Sequence, residues 1–186
     1  NKRITMYPLF KKAFWFVLIV IMTGYLIPNN ISSPIAERNV TKIDSESFWY
    51  YPWGESGVHK GIDIFCEKGT SIISPVSGFV IKKGFGSVAG NYIYIIGPKW
   101  RTYYFAHMDT TFVNTYRYIS KGDIIGKVGN NGNAAGKPAH LHYSIETIFP
   151  HFWLYDTKAV EGWKKMFYLD PVKQLNFPGN TETVKK

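Results

Sequence analysis

The chain has 186 residues, 45% of them hydrophobic and 17% aromatic, with a formal net charge of +9 at neutral pH. That length supports one domain rather than two, and a composition rich in aromatic, glycine and β-branched residues argues against a helical bundle. The positive charge favours polyanionic surroundings such as anionic lipid or a carboxylate- and phosphate-rich wall; no nucleic-acid module is recognisable, and the single cysteine, Cys66, excludes an internal disulfide.

In chain order, residues 1–12 carry Lys2, Arg3, Lys11 and Lys12 with no acid, and residues 13–27 are uncharged. As a helix, residues 13–27 extend about 22 Å, short of a hydrocarbon core of roughly 30 Å. Lys11 and Lys12 can snorkel, and Trp15 and Tyr25 suit a membrane interface. Residues 1–28 therefore read as an N-terminal hydrophobic helix serving as a transmembrane signal anchor. A clean small-residue cleavage site is missing, and a cleaved signal peptide is the alternative. Basic residues ahead of the span put the N-terminus in the cytoplasm and the remainder outside. Residues 29–47, rich in Asn, Ser and Pro, read as a polar linker. The aromatic run 48–54 reads either as a groove wall or as a lid packed on the core.

From Gly61 onward the pattern is β. Strands are expected at 61–66, 71–73, 78–83, 92–96, 102–106, 123–128 and 140–146, separated by Gly and Pro turns. With no amphipathic helix between them, the fold class is mainly β, an antiparallel sheet or sandwich core. In the first of these strands Asp63 and Phe65 share one face, while Cys66 shares the other with Ile62 and Ile64 and belongs in the core. The Gly-rich stretches 84–90 and 129–137 fail as phosphate loops. The first precedes a strand and has the wrong spacing, and the second meets Pro138 where Ser or Thr is needed. Residues 130–139 read as a mobile cleft wall leading into the next strand. Residues 147–168 form an aromatic insertion, with a short helix expected within 155–167 that carries Val160, Trp163 and Phe167 on one face, either packed on the sheet or lining a substrate groove or resting on the membrane. Residues 176–186 read as a tail, which bounds the domain at 48–175.

Five histidines punctuate this pattern. On a strand, His140 and His142 point the same way, roughly 6–7 Å apart, while Leu141 faces a core. Alone, such a pair also suits an exposed edge strand. His59 and Asp63 form an H-x-x-x-D spacing on a loop entering a strand, and both side-chain types ligate zinc. His107 ends the aromatic run 101–107. His151 stands apart and reads as non-catalytic.

H-x-x-x-D, then a strand ending in Ala106-His107, then H-x-H resembles the LytM/lysostaphin-type zinc peptidases of family M23. Lys68-Gly69-Thr70, residues 74–78 (Ser-Pro-Val-Ser-Gly), Gly90-Asn91, residues 121–126 (Lys-Gly-Asp-Ile-Ile-Gly) and Leu169-Asp170-Pro171 fall in the family's order as well. The chain departs from the family at Lys137-Pro138-Ala139 before the H-x-H pair and in the 147–168 insertion, both of which bear on substrate preference more than on chemistry.

The resemblance implies a LytM/M23-type core and one Zn²⁺ held by His59, Asp63 and His142. It implies His107 and His140 as catalytic residues, sharing the roles of general base and oxyanion stabiliser in an order the sequence does not assign. Three protein ligands leave one position for water, as in catalytic rather than structural zinc sites. The substrate implied is a peptide of peptidoglycan stems or cross-bridges, cut outside the cytoplasm, in the periplasm or at the cell surface of a bacterial envelope, by a membrane-tethered monomer. The alternative is a non-enzymatic wall-binding or scaffold module that docks or activates another envelope protein. A purely structural zinc would leave His107 and His140 superfluous, and no carboxylate pair supports a glycosidase.

Overall fold

A computed structural model of the chain describes residues 7–36 and 39–175; the expected tail at 176–186 lies outside the described residues. The β-branched and aromatic runs form strands β1 (Val40–Ile43), β2 (Ile62–Cys66), β3 (Ser71–Ile73), β4 (Gly78–Gly86) and β5 (Gly90–Ile96). They continue as β6 (Arg101–Thr111), β7 (Tyr118–Ile119), β8 (Ile124–Val128), β9 (His140–Thr147) and β10 (Tyr168–Leu169). Along the sheet the order is β1-β2-β9-β6-β5-β4-β7, with β10 added on β9 and β8 bridging β3 and β6. Every pairing is antiparallel. The mainly antiparallel architecture is the one expected.

Side-chain alternation divides the sheet into two faces. Ile62 and Ile64 of β2, Leu141, Tyr143 and Ile145 of β9, and Tyr103 and Phe105 of β6 are fully buried on one of them. Each large apolar side chain buried this way stabilises the fold by roughly 1.5–3 kcal/mol. Cys66 joins this cluster, as its position on β2 predicts. The intervening residues of β2 and β9, Asp63, His140 and His142, are left on the opposite face.

One expectation is met in part and two give way. A helix, α1 (Tyr7–Leu26), does form at the N-terminal apolar run. Among the described residues, however, no helix is long and apolar enough to cross a membrane. The uncharged run is short, and its C-terminal part rests on the domain: the Trp100 indole donates to the Ile21 carbonyl at 2.9 Å. Gly24 lies against that ring so closely that a Cβ there would sit 2.1 Å from the indole nitrogen.

The stretch expected as a linker is built into the fold. Ile35 is fully buried, β1 extends the sheet beside β2, and Tyr103 donates its hydroxyl to Asn29 at 3.0 Å. Finally, no α-helix forms within 155–167; 3₁₀ turns occupy Phe152–Leu154 and Gly162–Phe167. The Asp156 carboxylate accepts from the Lys158 and Ala159 amides, which offers the backbone an alternative to helix. Glu161 then takes φ +53° and stops any helical run. Val160 and Trp163 are exposed rather than packed.

Candidate active site

The site is assembled by register. Asp63 of β2 lies directly opposite His142 of β9, and Phe65 opposite His140. On the other side of β9, Ala106 of β6 faces His142, which brings His107 alongside. His59 arrives from the loop before β2, where Trp53 stacks on its ring with centroids 4.0 Å apart. Gly61 lets this loop close: a Cβ there would sit 2.4 Å from the Tyr143 carbonyl oxygen and 3.0 Å from the His142 ring.

His59 donates Nδ1–H to the Ser47 carbonyl at 3.1 Å, which leaves Nε2 bare in the neutral ring. That nitrogen lies 3.2 Å from Asp63 Oδ1 and 2.9 Å from His142 Nδ1. His142 Nδ1 is in turn 3.0 Å from the same carboxylate oxygen. At most one ring proton, on His142, serves the whole triangle, so lone pairs converge with too little hydrogen to satisfy them. A cation between them resolves this. The edges, 2.9 to 3.2 Å, approach the roughly 3.3 Å that separates tetrahedral ligand atoms bonded at 2.0–2.1 Å. His59, Asp63 and His142 thus fit a metal ion as a three-donor set. Burial pushes the Asp63 carboxyl up, but hydrogen bonds and charge from His142 and His59 outweigh it and hold the group far below its usual range. Burial lowers the His142 imidazole.

His107 and His140 flank the triangle. His140 donates Nδ1–H to the Pro138 carbonyl and His107 donates Nδ1–H to the Asn131 carbonyl, each at 2.9 Å. Both therefore keep Nε2 as an acceptor, and His140 Nε2 lies 3.9 Å from Asp63 Oδ2. The two rings meet edge to face with centroids 4.9 Å apart. His107 has φ +60°, beside a break in register between Met108 and Thr110. A left-handed non-glycine residue costs roughly 1–2 kcal/mol, and irregular pairing of this kind re-aims a side chain. Burial and the neighbouring His142 and His140 charges push the His107 imidazole down to about 4, so it is neutral at pH 7.

All five expected residues line one open cleft of about 820 Å³. Pro52 and Trp53, from the aromatic run 48–54, form one wall, and Lys137 and Pro138 one end. The opposite end holds Tyr94, Tyr104, Ser144, Glu146 and Tyr168, which the sequence reading did not single out. Period-two counting from His142 along β9 reaches Ser144 and Glu146 and was the available signal. His151 lies outside the cleft, against Trp153.

An antiparallel sheet that carries a three-donor metal cluster on the floor of a cleft, with two acceptor imidazoles beside it, has the layout of a metallohydrolase. Residues 57–158 match the family model described as Peptidase family M23, and the chain belongs to that family. It is 28% identical over 115 residues to the peptidoglycan DD-endopeptidase ShyC of Vibrio cholerae, covering 62% of this chain and 26% of that protein. It is 34% identical over 100 residues to an L-Ala–D-Glu endopeptidase of Bacillus subtilis, covering 50% of this chain and 31% of that one. The chain thus spans between a quarter and a third of these relatives' lengths. Among solved structures, the catalytic domain of the antimicrobial peptidase lysostaphin from Staphylococcus simulans superposes with a TM-score of 0.53 at 25% identity, covering 66% of this chain and 84% of that one.

Proposed function

We propose that the chain is a zinc-dependent endopeptidase that hydrolyses peptide bonds in peptidoglycan stems or cross-bridges, working outside the cytoplasm. The observation that carries this reading is the triangle of His59, Asp63 and His142 donor atoms on a cleft floor, with two further imidazoles presenting bare Nε2 atoms beside it. Two imidazoles and a carboxylate suit zinc, which supplies Lewis acidity that activates water and polarises a peptide carbonyl. The chain's own residues do the rest. Asp63 offsets part of the cation's charge. His107 or His140 accepts the proton lost by the attacking water, and the imidazolium so formed gives it to the departing amine. The second ring, with a proton taken up from bulk water before the attack and returned afterwards, can donate to the developing oxyanion. Trp53, stacked on His59, and the Ser47 carbonyl hold that ligand's tautomer and orientation.

The peptidoglycan assignment draws on one relative named as a peptidoglycan DD-endopeptidase and another named as an L-Ala–D-Glu endopeptidase, and the net charge of +9 favours approach to an anionic wall. The two names specify different bonds, so bond choice belongs to the outer cleft rather than to the metal cluster. Incubating the full chain with purified peptidoglycan should release new primary amines, stop on chelation and resume with Zn²⁺. A zinc-loaded chain that binds wall material yet releases no amine from any cross-linked preparation would instead favour the scaffold alternative.

A further inference from the structure

Resting on that reading, we infer that Glu146, inside an aromatic box at one end of the cleft, is the specificity-determining carboxylate that captures a primary ammonium group of the peptide substrate. Residues directly opposite in antiparallel strands project to the same face, and the registers build the box row by row. Ser144 of β9 faces Tyr104 of β6, which faces Tyr94 of β5. One row further from the metal triangle, Glu146 lies between Thr102 of β6 and Tyr168 of β10. Tyr94 and Tyr104 stack with centroids 4.4 Å apart, and Tyr104 reaches the His142 ring edge to face at 5.9 Å. The box is therefore continuous with the metal triangle.

Glu146 has no ion-pair partner among the described residues, although the chain carries 22 Lys and Arg residues. Half-buried without a cation, its carboxyl is pushed up to about 7 by burial, with only Ser144 drawing it down. Its charge also reaches the three phenols, which burial and that charge together hold above their ordinary range. A desolvated carboxylate among ring faces is the complement of an ammonium: the rings attract the cation and the carboxylate pairs with it. Neither an anion nor an uncharged apolar side chain would relieve the buried acid.

The spacing suits a peptide lying along β9. Glu146 lies four residue steps along the strand from His142, roughly 13 Å. Two extended residues, about 7 Å, followed by a long amino side chain span that distance from a bond held at the triangle. A free amino terminus lying further along the peptide reaches it as well. The shared chemistry is the primary ammonium, and the two sources separate by selective acetylation.

The test uses the full chain and short peptides carrying both a lysine side chain and a free amino terminus, each acetylated at one amine, at both or at neither. Binding is measured by calorimetry on the His140→Ala chain, and cleavage on the wild type. Acetylating one particular amine should weaken binding about tenfold, and that amine identifies the source. In His140→Ala with Glu146→Gln added, the difference between acetylated and free peptides should vanish. Equal affinity for free and acetylated peptides, a tenfold preference that survives Glu146→Gln, or no saturable binding of any peptide to millimolar concentration would each overturn the assignment. The acetylation comparison needs no change at Glu146, so a misfolded variant does not rescue it. Selective binding without cleavage by the zinc-loaded wild type would sink the peptidase reading alone.

Discussion

Gly61→Ala is the sharpest probe of how the fold positions the metal donors. The position has no unusual backbone requirement; what it lacks is space. A Cβ at Gly61 would lie 2.4 Å from the Tyr143 carbonyl oxygen, where ordinary contacts begin near 3.4 Å, and 3.0 Å from the His142 ring. The obstacle is backbone of β9, which is paired to β2 on one side and β6 on the other, so it cannot swing away as a flexible side chain could. Relief therefore requires the loop carrying His59 to back off by about 1 Å. Metal ligation tolerates roughly 0.2 Å. The displaced His59 also strains its bond to Ser47, and loss of such orienting contacts typically costs 10–100-fold in metal affinity. Overpacking adds about 1–3 kcal/mol of lost stability. Zinc affinity, measured by competition with a chromophoric chelator, should fall at least tenfold while the far-ultraviolet circular dichroism stays that of a β protein. A variant that binds zinc within threefold of the parent would refute the idea that this close approach sets the donor triangle.

Alanine at His107 or at His140 should lower turnover by roughly 10²–10⁴-fold, the usual worth of a positioned acid–base group, while one zinc per chain is retained by elemental analysis; loss of the metal with the ring would make these residues ligands instead. Leu141→Ala removes a fully buried side chain between the two histidines of β9 and should cost about 2–5 kcal/mol, read as a drop in the urea midpoint at unchanged slope. Glu146 gives a pH signature. Its folded-state value, raised from 4.5 to about 7, means the folded chain keeps a proton the unfolded chain releases, so stability is lost as pH rises through that window. Glu146→Gln should therefore gain on the wild type by about 2 kcal/mol at pH 8, after allowance for partial solvent access, and by nothing at pH 4. A difference independent of pH in urea titrations would contradict this.

Much of the site was legible because its chemistry coincides with local periodicity. His140, Leu141 and His142 alternate across one strand, so two polar donors and one core residue follow from spacing alone. Asp63 and Cys66 part to opposite faces of β2 for the same reason: Cys66 joins the apolar core and Asp63 lines the cleft. What stayed hidden depends on partners distant in sequence. Strands β1, β7 and β10 have four, two and two residues, too few to show a period, and each exists only because a neighbouring edge accepts it. The left-handed turn at His107 arises where β6 exchanges its pairing with β9 for pairing with β8, and nothing local in residues 101–111 signals it. Within 155–167, apolar spacing at i, i+3 and i+7 mimicked a helix that one acceptor, Asp156, was enough to prevent.

The same alternation explains how one strand can be both scaffold and active site. On β9, Leu141, Tyr143 and Ile145 are fully buried, and their packing fixes the register that sets His142 against Asp63 and Ala106. A slip by one residue would bury the imidazoles and expose the apolar set, at several kcal/mol for each exchanged pair. Donor placement is therefore enforced by the hydrophobic face rather than by the donors, which repel one another when no cation is present. Tautomers are fixed separately, by backbone carbonyls of Ser47, Asn131 and Pro138. All three lie in connecting segments outside the strands, and two of them belong to the stretch that also walls the cleft. Changes in that stretch can thus alter proton transfer through His107 and His140 while leaving the metal triangle, and the core that enforces it, in place.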